Sequence, residues 1–215
     1  MPTERFDFRQ DLRNVFITPE IRARFMRMEP GEVAGRHSHD LGHEVFLVLE
    51  GQCEMEIEGE RVVLGPGQMC VARANELHQA RVVGDRPMTM YLSVTPHVEP
   101  THTQWDGHGR KRPPRYGVTR RAGGAPFSDD PLETVAERLL ADAGAFGAIA
   151  HTAGVKLEGP LTALQDALRT GDRVAAKNAV DLVWAELFRI RDSLHRLEED
   201  WNELAARAGG EPPSS

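Results

Sequence analysis

Between Gly31 and Gly51 the chain reads GEVAGRHSHDLGHEVFLVLEG, and this block leaves little freedom in how its surroundings can fold. Val45-Phe46-Leu47-Val48-Leu49 is an unbroken apolar run of strand length, closed by Gly51. His37 and His39 are two apart, so on an extended segment both side chains leave the same face, roughly 6.7 Å apart along the chain. Asp40-Leu41-Gly42-His43 has the polar, Gly-containing composition of a turn, which places Glu44 at the start of the next strand, beside the histidines. Two imidazoles and a carboxylate on adjacent strands make a partial site for a first-row divalent metal. The remaining ligand has to come from a further strand, and His78 is the candidate.

The rest of the first 96 residues is strand-like as well. Ile21 to Met28 alternates loosely before a Pro30-Gly31 turn, whereas Gln52 to Glu58 alternates strictly, with Cys53, Met55 and Ile57 facing inward. Turns at Gly59-Glu60 and Gly65-Pro66-Gly67 separate Arg61–Leu64 from Met69–Ala72, and Met88–Val94 is the last clear strand. Short strands at this spacing predict an antiparallel sandwich or barrel.

From Pro96 to Asp129 proline, glycine and arginine dominate, with Arg110, Lys111, Arg112, Arg115, Arg120 and Arg121 clustered. With a net charge of −7 over the 215-residue chain, this reads as a solvated linker rather than a nucleic-acid surface. The N-terminus lacks the apolar core of a signal peptide, and no apolar run reaches the ~20 residues of a membrane span. Cys53 and Cys70, without C-x-x-C spacing, read as buried free thiols. The expectation is a cytoplasmic protein with no nucleic-acid or membrane partner.

After Asp130 the periodicity turns helical. Asp130-Pro131-Leu132-Glu133 reads as an acidic N-cap, a proline at the first helical position and a capping glutamate, with Leu132, Val135 and Leu139 as the stripe. A second helix is expected from near Pro160 to Gly171, with Leu161, Leu164 and Leu168 on one face, and a third from Asp172 to about Ala208. The third carries Val180, Val183, Leu187, Ile190, Leu194, Leu197, Trp201 and Leu204 at alternating spacings of 3 and 4, a coiled-coil-like seam. Such a helix is about 55 Å long, too long to be covered by a ~100-residue domain with a radius of gyration near 13 Å. A homodimer built on the helices is therefore expected. The expected division is a barrel over residues 1–100, a linker over 101–128, a helical region over 129–209 and a disordered tail over 210–215.

Gly31, five residues, His37-Ser38-His39, four residues, Glu44, six residues and Gly51 resemble the first signature motif of the cupin superfamily at every defined position. Gly59, five residues, Gly65-Pro66-Gly67 and His78 resemble the second motif more loosely, because Gly65 stands where proline is usual and Ala80–Val83 holds no asparagine. The resemblance covers residues 20–96. It implies a mainly β jelly-roll barrel, here followed by an α-helical C-terminal extension with a long coiled-coil-like helix. It also implies one divalent transition metal (Fe, Mn, Ni, Cu or Zn) held by His37, His39, Glu44 and His78.

A centre of this composition resembles those of small metal-dependent dioxygenases, oxidoreductases that act on oxygen-rich small molecules. Phe46, Val48, Met55 and Ile57 would line the interior, and Glu44 would double as a base if it left the metal. His43, as Glu44's neighbour on a strand, should face away, but would serve as a proton carrier if a turn brought it near the metal. Isomerase or lyase chemistry would use the same ion as a Lewis acid, and a metal- or ligand-binding sensor with dimerising helices is the non-enzymatic alternative. His97, His102, His108, His151 and His195 read as structural or surface residues.

Overall fold

The computed structural model describes residues 3–119 and 127–210. Among them, ten strands precede two helices: β1 (Asn14–Thr18), β2 (Ile21–Met28), β3 (His37–Ser38), β4 (His43–Glu50), β5 (Cys53–Ile57), β6 (Glu60–Leu64), β7 (Met69–Ala72), β8 (His78–Val82), β9 (Met88–Thr95), β10 (Thr103–Gln104), α1 (Leu132–Thr170) and α2 (Arg173–Gly209). The chain separates into two compact units, one running to Asp129 and resuming at Asn202, the other Asp130–Trp201.

In the first unit two five-stranded antiparallel sheets form the barrel, in the orders β1-β2-β9-β4-β7 and β10-β3-β8-β5-β6. Alternation decides what each strand puts inside. Phe46 and Val48 of β4, Cys53 and Met55 of β5, Ala80 and Val82 of β8, and Met88, Met90 and Leu92 of β9 join one apolar core, with Ile57 packed against it.

The pairing register stacks the inward residues of the first sheet in rows. Arg22, Val94, Glu44 and Ala72 lie side by side, then Arg24, Leu92, Phe46 and Cys70, then Met26, Met90 and Val48. The second sheet carries a matching polar row, in which His37 pairs with His78 and His78 with Ile57. Polar residues thus gather at one end of an otherwise apolar interior. Both cysteines are free, and burial pushes their thiols up to about 11, which keeps them protonated near neutral pH.

Gly51, at the end of β4, has a left-handed backbone (φ 73°), and a Cβ there would run into the Pro87 carbonyl and sit 2.8 Å from the Met88 Cα. Only glycine meets both demands at this turn.

The stretch expected to be a linker is, over its described part, built into the barrel unit. β10 extends the second sheet beside β3, Trp105 Nε1 donates to Ser38 Oγ at 3.0 Å, and Lys111 Nζ pairs with Asp40 at 2.8 Å. Asn14 Nδ2 donates to the Thr119 carbonyl at 2.8 Å, so this segment also covers β1. Proline and arginine content suggested a solvated path. The tertiary partners Ser38, Asp40 and Asn14, all distant in sequence, give the segment its structure instead. Arg120 and Arg121 of the basic cluster lie outside the described residues, as do residues 211–215 of the expected tail. Gly210 itself bridges Tyr116.

The helical region holds two helices where three are expected. α1 continues through Pro160, although a proline inside a helix removes one backbone hydrogen bond and costs about 3 kcal/mol. α1 runs antiparallel to α2, and ion pairs link the two. Arg138 Nε meets Asp200 at 3.1 Å at one end and Lys156 Nζ approaches Glu186 at 3.7 Å further along. At the start of α1 Pro131 is the capping residue, and Asp130 pairs with Arg138 rather than capping. Gly171, in left-handed conformation, ends α1, and Asp172 Oδ1 accepts the Val174 and Ala175 N–H groups at 3.0 Å each to start α2.

The seam read on α2 is only partly used. In the Asp130–Trp201 unit the buried side chains are Val135, Ala153 and Ala167 of α1 and Ala179 and Ser193 of α2. Val180 and Leu187 stay exposed, along with Leu182, Trp184 and Phe188. No helix of the described residues is long and apolar enough to cross a membrane.

Candidate metal centre

His37 and His39 leave β3 and the residue after it, Glu44 opens β4 and His78 opens β8, so two sheets deliver their polar rows to one point. One ligand atom from each of these four residues lies within 4.8 Å of all the others, which makes the cluster able to hold a metal ion. Glu44 Oε2 sits 2.8 Å from His39 Nε2, 3.1 Å from His78 Nε2 and 3.9 Å from His37 Nε2.

The outer nitrogens of the three rings explain the orientation. His37 Nδ1 donates to the Gly35 carbonyl at 2.8 Å, His78 Nδ1 to the Glu76 carbonyl at 2.8 Å, and His39 Nδ1 to the Thr101 carbonyl. A carbonyl only accepts, so each Nδ1 carries a proton, and each Nε2 is the ring atom that faces the centre and would ligate an ion. Donors that share one ion with bonds of about 2.1 Å would stand about 3–4 Å apart. The observed spacings fall in that range. His37 Nε2, buried with no hydrogen-bond partner, is the clearest sign of a group set to ligate. The donor set, neutral imidazoles with one carboxylate and no thiolate, suits a divalent transition ion.

Electrostatics act in the same sense. Burial pushes His37 down to about 4, helped by His78 and His39, so its ring is neutral near pH 7. For Glu44 burial is the largest single influence and opposes ionisation, but the contacts from His39 and His78, with Arg22 adding to them, outweigh it and hold the carboxyl well below its ordinary value. Arg22 Nη2 reaches Glu44 Oε1 at 3.0 Å, both side chains being 3% exposed. That contact occupies one carboxylate oxygen and leaves the other for the centre.

His43, expected as a proton carrier, is elsewhere. It is exposed, and its Nδ1 accepts the Ala74 N–H at 3.0 Å. The reason is the pleat, which sends neighbours on β4 to opposite faces, so that an inward Glu44 puts His43 outside.

Three residues at the centre escaped the sequence reading. His102, read as structural or surface, places its ring 4.7 Å from that of His37 and 4.8 Å from that of His39. Burial and then the neighbouring rings push its pKa well below the ordinary imidazole value. It arrives on the segment leading into β10, and no local pattern marks it. Arg22 and Arg24 do have a signal: they share parity on β2 with Met26 and Met28, so placing the methionines in the core places both arginines inside.

Residues 24–95, a third of the chain, match the family model described as the cupin domain. The chain is 32% identical over 69 residues to the polyketide synthase CurC of Streptomyces cyaneus. That match takes in 32% of this chain and 45% of that protein, so the chain spans less than half the length of this relative. Among solved structures, an uncharacterised conserved protein with a double-stranded β-helix domain from Klebsiella pneumoniae subsp. pneumoniae MGH 78578 is similar at 21% identity, over 44% of this chain and 91% of that one, with a TM-score of 0.42. TT1209 from Thermus thermophilus is similar at 22% identity over 44% and 98% of the two chains, again with a TM-score of 0.42. KdgF from a Halomonas species is similar at 28% identity over 39% and 74%, with a TM-score of 0.35.

Proposed function

We propose, from the match of residues 24–95 to the cupin domain family, that this protein is a metal-dependent oxidoreductase of the small dioxygenase type, acting on an oxygen-rich, enolisable small molecule. The reading rests on one observation above all: Nε2 of His37, His39 and His78 and Oε2 of Glu44 meet inside the barrel, with every Nδ1 proton already committed to a backbone carbonyl. A redox-active divalent ion held by these four residues supplies Lewis acidity toward a substrate oxygen and electrons toward dioxygen.

The protein's own contribution is placement. The carbonyls of Gly35, Glu76 and Thr101 fix the tautomers, Arg22 fixes the rotation of the Glu44 carboxylate, and Phe46, Val48 and Met55 keep the neighbouring interior dry. The choice of an enolisable substrate is supported by the curated relative named as a polyketide synthase, since polyketides carry repeated carbonyl groups.

Elemental analysis of the purified protein, with oxygen uptake measured against a panel of enols and diketones, tests the proposal. Bound iron with substrate-dependent oxygen consumption is the expected result. Zinc with no oxygen consumption would overturn it and favour isomerase or lyase chemistry at the same centre.

We also infer that the helical unit joins two copies of the chain. The buried residues of the two helices are few and mainly small, while Val180, Leu182, Trp184, Leu187 and Phe188 stay exposed. The wild-type protein is expected to be a dimer by light scattering, and Trp184→Glu combined with Phe188→Glu a monomer. A monomeric wild type would remove this inference.

A further inference from the structure

Arg24 is a half-buried cation on the inner face of β2 that makes no ion pair of its own. It occupies an inward position of β2, in the row shared with Leu92, Phe46 and Cys70, immediately beside the row of Arg22 and Glu44. Its guanidinium makes no hydrogen bond or ion pair with the described residues, and its Nε is a buried atom without a partner. Arg22 has Glu44 at 3.0 Å, yet its own Nε is also buried and unpartnered although the side chain is 3% exposed. Among the described residues Glu44 is the carboxylate that acts on these two arginines, and it also faces three imidazoles. A divalent ion there would raise the local positive charge further.

A guanidinium nitrogen shut off from water without a partner is costly. The group's planar fork of N–H donors matches a carboxylate in two parallel hydrogen bonds. We propose that Arg24, assisted by the free Nε of Arg22, binds a carboxylate carried by the small molecule that occupies the metal centre. Successive inward rows on a strand are about 6.7 Å apart. The ligand is therefore a compact acid, with an oxygen donor for the metal separated from its carboxylate by a few bonds. This rests on the metal-centre reading and narrows its substrate to oxygen-rich carboxylic acids.

Two probes separate the carboxylate from everything else. 2,4-Pentanedione and 2,4-dioxopentanoate present the same diketone, and only the second carries a carboxylate. Titrated calorimetrically into the metal-loaded full-length protein, the acid is expected to bind at least tenfold more tightly than the neutral diketone. In Arg24→Met that preference falls to twofold or less, while metal per chain and affinity for 2,4-pentanedione hold within twofold; Arg24→Lys keeps part of the preference. Equal affinities for the two probes in the wild type would overturn the proposal without requiring any variant to fold. Equal weakening of both probes in Arg24→Met would also overturn it, because Arg24 would then act only on the shape of the barrel. Metal content, measured on the same samples, keeps the two readings apart. Bound metal without acid preference rejects this proposal alone. An Arg24-dependent preference for the acid in protein that takes up no metal supports it and rejects the metal centre.

Discussion

His78→Ala lowers the metal bound per chain at least tenfold. The ring is 2% exposed, its Nδ1 proton is held by the Glu76 carbonyl, and its Nε2 stands 3.1 Å from Glu44 Oε2. Alanine removes the donor that the second sheet contributes through β8, and nothing nearby on that strand replaces it, because the next inward residues are Ala80 and Val82. Loss of an outer partner alone costs 10–100-fold in affinity, so loss of a ligand costs at least as much. Metal per chain after dialysis against a fixed competing chelator is the measurement. His43→Ala is the matched control, with metal content expected within twofold of wild type, since His43 is exposed on the far face of β4. A His78→Ala protein that retains one metal per chain would show that the ligands are others.

Arg22→Leu destabilises the metal-free protein by about 3–5 kcal/mol, the usual consequence of removing one partner of a buried ion pair. Both side chains of the Arg22–Glu44 pair are 3% exposed, and burial acts on each differently. Burial holds Arg22 below its ordinary value against the pull of Glu44, whereas Glu44 has two imidazoles in contact as well as Arg22 and stays ionised. Leucine retains much of the volume but leaves Glu44 Oε1 without a donor. Urea unfolding should show a lower midpoint with an unchanged slope. Divalent metal should return part of the loss, because it supplies positive charge opposite the same carboxylate; occupancy at 100 times the dissociation constant is worth about 2.7 kcal/mol. A loss below about 1 kcal/mol, set against the range for buried pairs, would mean that water or another residue takes over from Arg22.

Much of the barrel could be read along the chain, because burying one face of a strand leaves a period of two. The alternation of Gln52–Glu58, the apolar run after Glu44 and the glycine turns all correspond to observed strands. The metal-binding cluster was legible for the same reason: His37 and His39 share parity, and Glu44 begins a strand whose inward positions are then set. Arg22 and Arg24 were less visible. β2 alternates Ile21, Ala23 and Phe25 against Arg22, Arg24 and Met26, so composition alone favours turning the arginines outward. Pairing with β9 reverses that choice, since Arg22 and Arg24 lie level with the inward Val94 and Leu92. In the helical unit, Pro160 and the leucine spacing were local cues to a break and a seam. The structure differs on both: α1 runs unbroken through Pro160, and Val180 and Leu187 of the seam stay exposed.

Sequence alone determined the sheet-forming character of the first 96 residues, the motif from Gly31 to Gly51, the four residues able to hold a metal and the switch to helix after Asp130. Each of these rests on interactions between near neighbours, where side-chain periodicity and turn chemistry act directly. Tertiary structure alone decided that His102 stands against His37 and His39, that Arg24 faces the interior without a partner, and that residues 101–119 belong to the barrel unit. These depend on contacts across tens of residues. Burial, strand register and the search of each polar group for a partner settle such contacts only once the whole chain has closed around them.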